Sequence, residues 1–242
     1  MRRRALVGIS AVIVLPVVGA LLVVQRSRLV ALSPTELASK HINPPSSWAD
    51  PDCERIRRAV KTTVGEPGLK TAISVVHLND DEIAVYRSVL QQWNSDSRPL
   101  NVANRTFPLD ALSPDCSCEC LRGLDIQYLA SASHSTHDLT RDVFQEKHIR
   151  FVNADKQLAA VRANDPHNGM AAGKSVERAV NDAFGSGLFS MSEIAFISDH
   201  TEALVSYAFV CGYLCGNGGT WLLEKVDGVW KRAERVCGGW VF

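Results

Sequence analysis

The sequence predicts an α+β fold behind an N-terminal membrane anchor, with a helix-rich segment first and an antiparallel sheet of about four strands last. Three observations carry that expectation. Ala5 to Val24 form a twenty-residue run without a charge. Apolar residues recur at helical spacing between Asn79 and Phe184. From Leu188 onward aromatic and β-branched residues alternate, with turn residues at regular intervals.

Composition bounds the rest. At 242 residues, 46% hydrophobic and 21% charged, the chain can bury the core of one domain. Its 26 basic residues balance 26 acidic ones, so nothing electrostatic favours a nucleic-acid partner.

Residues 1–28 read as an uncleaved signal anchor. Three arginines precede the apolar run, and Gln25-Arg26-Ser27-Arg28 ends it without a small-x-small cleavage site. A helix over Ala5 to Val24 is about 30 Å long, the hydrocarbon thickness of a bilayer. The N-terminal positive charge keeps that end in the cytoplasm and exports the remainder. The expected partner is therefore a membrane, entered once, with the C-terminal domain outside the cytoplasm. Residues 29–52, with Pro34, Pro44 and Pro45 among Ser, Thr and Asn, read as a juxtamembrane linker. Residues 53–242 form the single exported domain.

Within that domain Asp52 to Thr62 is a helix candidate, and Thr71 to Leu78 reads as a short buried strand. Asn79 or Asp80 caps a clearer helix ending at Trp93, where Ile83, Tyr86, Leu90 and Trp93 form one stripe for core packing. Asp138 to Lys147, Asp155 to Arg162 and Ser175 to Phe184 are further helix candidates. Asp227-Gly228 is a two-residue hairpin turn that sets Val226 against Val229, Lys225 against Trp230 and Glu224 against Lys231. Carried outward, that register brings Cys237 opposite Gly218 and gathers three cysteines at one end of the sheet.

Seven cysteines are more than a core needs. Cys211 and Cys215 lie four apart, and the flanking Gly212 and Gly216 let the backbone bring them within bridging distance. The hairpin register makes Cys215 to Cys237 possible as well. Cys116, Cys118 and Cys120 alternate, so a bridge within the set is awkward, and Cys53 and Cys237 are their free candidate partners.

The loop C-G-Y-L-C-G-N-G, the hairpin L-L-E-K-V-D-G-V-W-K, the segments Ser192 to Phe196 and Ala203 to Val205, and the helix Glu82 to Leu90 resemble a group of bacterial exported proteins. The likeness spans roughly a quarter to a third of the chain, and its specific part is the C-G-x-L-C-G loop with its hairpin. It implies an exported location and no particular activity. The group carries Cys211 and Cys215 and lacks Cys237, which favours a Cys211 to Cys215 disulfide.

Motifs that suggest chemistry are few. Gly169 to Ser175 resembles a phosphate-binding loop, but Asn168 stands where a glycine is required and no apolar strand precedes it. Cys116, Cys118 and Cys120, with His134 and His137 downstream, are the soft ligand types that hold zinc or copper. No G-x-S-x-G is present, Asn104-Arg105-Thr106 is a glycosylation sequon only in a eukaryotic secretory pathway, and no cofactor is implied. The expected function is a membrane-anchored binding or scaffolding domain. The alternative is thiol or metal handling by Cys116, Cys118, Cys120, His134 and His137.

Overall fold

The computed structural model describes residues 58–59, 62, 72–73, 78–110, 118–121, 123, 126–140, 144, 146–197 and 199–242. The expected anchor and linker lie outside these residues, as do Cys53 and Cys116. No helix among the described residues is long and apolar enough to cross a membrane.

The sheet departs from expectation. Instead of about four antiparallel strands, seven strands form one mixed sheet: β2 (Leu100–Ala103), β4 (Ile149–Val152), β5 (Leu188–Met191), β6 (Ala195–Phe196), β7 (Glu202–Gly212), β8 (Cys215–Val226) and β9 (Val229–Val241). Their spatial order is β4-β2-β5-β7-β8-β9, with β6 also on β7. β2 runs parallel to both β4 and β5, and the pairs from β5 to β9 are antiparallel. The parallel strands escaped the alternation test because every residue of β2 is buried and both β2 and β4 have only four residues. A separate parallel pair joins β1 (Ala72–Ile73) to β3 (Ser135–Thr136).

Helices cover both faces, so the arrangement is three-layered rather than helices followed by a sheet. On one face α1 (Asp80–Trp93) sets Val85, Tyr86, Val89 and Leu90 against Val102, Phe189, Val205 and Leu223. Its start is a capping box: Asn79 accepts from the Glu82 amide, and the Glu82 carboxylate accepts from the Asn79 amide. On the other face α2 (Cys118–Leu121) and α3 (Ile126–His134) pack Leu121 and Leu129 against Leu204 and Leu222, while Val161 of α4 (Ala154–Ala163) joins Ala103 and Leu188. α5 (Pro166–Ala171) and α6 (Val176–Ser186) follow; the described residues 58–59 and 62 of the Asp52 to Thr62 candidate are helical, and the rest of it lies outside the described residues. The Asp155 to Arg162 and Ser175 to Phe184 candidates are thus α4 and α6, each opened by an Asn or Ser cap. No helix opens at Asp138: it bridges to Arg105, and a turn at 147–148 feeds β4.

The final hairpin keeps its predicted register near the turn, with Val226 opposite Val229, Lys225 opposite Trp230 and Glu224 opposite Lys231. The Lys225 ammonium sits 5.5 Å from the Trp230 ring centroid. Farther out, irregularities between Gly219 and Leu223 slip the strands, so Gly218 meets Trp240 rather than Cys237. β9 is an edge strand of thirteen residues, and α1 covers part of its outer rim. Ser88 Oγ donates to the Trp230 carbonyl at 2.7 Å, and Gln92 Oε1 accepts from the Arg232 amide at 3.3 Å. Groups that would otherwise invite another strand are thereby engaged.

Candidate functional site: the clasped tip of the β7–β8 hairpin

β7 ends and β8 begins in a turn closed by its own cysteines. Cys211 and Cys215 are disulfide-bonded with Cα atoms 5.0 Å apart. The neighbouring backbone is held a second time from α5. Asp165, the N-cap of that helix and 9% exposed, gives one carboxylate oxygen to the His167 amide at 2.9 Å and the other to the Tyr213 amide at 2.6 Å. Gly212 makes this approach possible: a Cβ there would stand 2.7 Å from Pro166 Cδ and 2.8 Å from Asp165 Oδ2. The tip therefore stays in place while its side chains face outward, Tyr213 at 70% and Leu214 at 74% exposure. The chain's final residues lie beside it. Phe242 donates its amide to the Gly216 carbonyl at 2.9 Å, and Val241 pairs with Asn217 and is 81% exposed.

The chemistry of the clasp suits fastening better than exchange. Cys211 is buried in the core cluster, and Cys215 is only partly buried. A thiolate attacking the more accessible Cys215 sulfur would expel Cys211 into apolar surroundings, where a thiolate leaves poorly.

Of the predicted ligands, the structure describes the side chains of Cys120, His134 and His137. Cys120 is bonded to Cys237 across 117 residues, both sulfur-bearing side chains being buried, which ties α2 to β9 and rules out the Cys215 to Cys237 pairing. His134 ends α3, and His137 Nδ1 lies 2.6 Å from Glu193 Oε2. Cys116 falls outside the described residues, and only the backbone of Cys118 is described. No group of three or more metal-ligating side chains occurs among the described residues.

A buried polar centre went unread in the sequence. Glu193 is 4% exposed and accepts from the His137 amide at 2.8 Å, from the Thr106 hydroxyl at short range, and pairs with the His137 ring. Its own amide donates to the Phe107 carbonyl at 2.7 Å. Three separate segments are thus joined through one carboxylate. Next to it Tyr86 donates to the Ser192 carbonyl at 3.0 Å, and burial, reinforced by the Glu193 charge, pushes the phenol well above its usual range. The available signal was Glu193 itself, the one charged residue in the stretch from Ala183 to Ser198.

Comparison with protein-family models, curated proteins and solved structures finds no match for this chain.

Proposed function

We propose that the protein is an extracytoplasmic binding module, tethered by the apolar run Ala5 to Val24, that meets its partner with the clasped tip of the β7–β8 hairpin. The observation that carries this reading is the contrast at Cys211 to Cys215. A tip fastened by a disulfide and by Asp165 presents Tyr213 and Leu214 almost fully to solvent. Holding the backbone that carries the contact side chains in place before association lowers the ordering cost of binding, and tyrosine offers a large contact area for few rotatable bonds. The two disulfides are compatible with an oxidising compartment, which supports the exported location. Thiol or metal handling is the weaker reading, because Cys120 is committed to Cys237 and His137 to Glu193.

Hydroxyl-radical footprinting of the full chain, in cells and after purification, tests the proposal. Tyr213 should be at least about threefold less reactive in cells, relative to the half-exposed Tyr128 as an internal reference. Equal reactivity in both states overturns it.

A further inference from the structure

We infer that the partner of the clasped tip is the lipid bilayer itself, with Tyr213 and Leu214 resting in its interfacial layer; this rests on the binding role given to the tip above. The first support is the distribution of charge. Neither Ala203 to Leu223 nor Val236 to Phe242 contains an Asp, Glu, Lys or Arg, and these two stretches supply the tip and the strand end beside it. The nearby carboxylate of Asp165 is turned inward onto two backbone amides. At the opposite end of the same strands, Glu224, Lys225, Asp227 and Lys231 crowd the other turn. One end of the sheet is thus chemically suited to lipid and the other to water.

The second support is the kind of residue exposed. Tyr213 couples an apolar ring to a hydroxyl, the combination that settles at the boundary between headgroups and acyl chains, and Leu214 supplies a purely apolar neighbour. Val241, paired with Asn217, is a further exposed apolar residue toward the same end of the sheet.

The third is reach. Residues 25–52 lie between the apolar N-terminal run and the domain read from residue 53. Fully extended they span at most about 100 Å, so a bilayer holding Ala5 to Val24 lies within range of any face of the domain. Proximity alone therefore does not select a face, and surface chemistry selects the tip. Because the tether makes the contact intramolecular, two apolar side chains suffice where a free protein would need many more.

The test uses the full chain reconstituted into phosphatidylcholine vesicles, with photoreactive p-benzoylphenylalanine replacing either Tyr213 or Val226. Val226 is 42% exposed at the charged end of the same strand and controls for mere nearness to lipid. The expected result is lipid-adducted peptide at position 213 at ten or more times the yield at position 226. Equal lipid labelling at the two positions overturns the inference. Crosslinking of position 213 to a second copy or another protein also overturns it while leaving the tip as a binding surface. Absence of any adduct at 213, with the footprint unchanged between cells and purified protein, overturns both.

Discussion

The Asp165 carboxylate accepts the Tyr213 amide at 2.6 Å, so a helix cap and a hairpin tip 48 residues apart share one side chain. Removing that side chain strikes both. Asp165→Ala deprives α5 of its cap and the tip of its charge-assisted bond, and should lower stability by about 1 to 3 kcal/mol. Amide exchange at Tyr213 should accelerate with it. Unchanged exchange at that amide would show that the disulfide alone holds the tip.

The two disulfides should differ in what they contribute. On the chain-entropy model, the five-residue loop of Cys211 and Cys215 is worth about 2 kcal/mol, and the long loop of Cys120 and Cys237 about 5 kcal/mol. Denaturant unfolding of the paired serine and alanine variants, Cys211→Ser with Cys215→Ser and Cys120→Ala with Cys237→Ala, should reproduce that order. Non-reducing peptide mapping should recover both crosslinks, and free thiols at Cys211 and Cys215 would remove the clasp.

Asp227 and Gly228 both lie at positive φ, 53° and 76°, and nothing crowds a side chain added at Gly228. Gly228→Val therefore isolates the backbone term, and should cost more than about 1 kcal/mol because a β-branched residue resists that region. An unaltered melting temperature would contradict the turn.

Lys225 donates to Asp81 at 2.6 Å, and this hydrogen bond holds the Asp81 carboxyl below its ordinary value of 3.8. A depressed acid stabilises the fold above its unfolded pKa, and that contribution fades as pH falls from 3.8 through the lower folded value. Lys225→Met should flatten the acid limb of the stability profile in that window. A limb of unchanged slope would show that other carboxylates set it.

The local parts of the fold were legible, and the long-range parts were not. Asp227-Gly228 fixes which residues face each other because turn geometry dictates register, and Asn79, one of two candidate caps, does open the helix, with Glu82 supplying the reciprocal bond in the structure. β2 gave no periodic signal because all four of its residues are buried, and the strand slips past Gly219 could not be foreseen from a register assumed regular. The clasp was one of two pairings that the cysteine spacing and hairpin register left open, and the resemblance favoured the one the structure shows. Its second fastening was not legible, since nothing in the sequence near Asp165 points to Tyr213. Cys237 was a recognised candidate partner for the C-x-C-x-C set, but which of the three sulfurs it meets depends on where α2 packs against β9.

The Cys120 to Cys237 bond also imposes a timetable. A ribosome adds roughly 5 to 20 residues per second, so the 117 residues between the two cysteines take roughly 6 to 23 s to make. Throughout that interval Cys120 waits without its partner, two residues from Cys118 and four from Cys116. If an oxidant joins Cys120 to any earlier cysteine in that interval, the correct crosslink then requires exchange rather than simple oxidation. In an oxidising compartment, maturation of this domain is accordingly a race between chain completion and thiol chemistry.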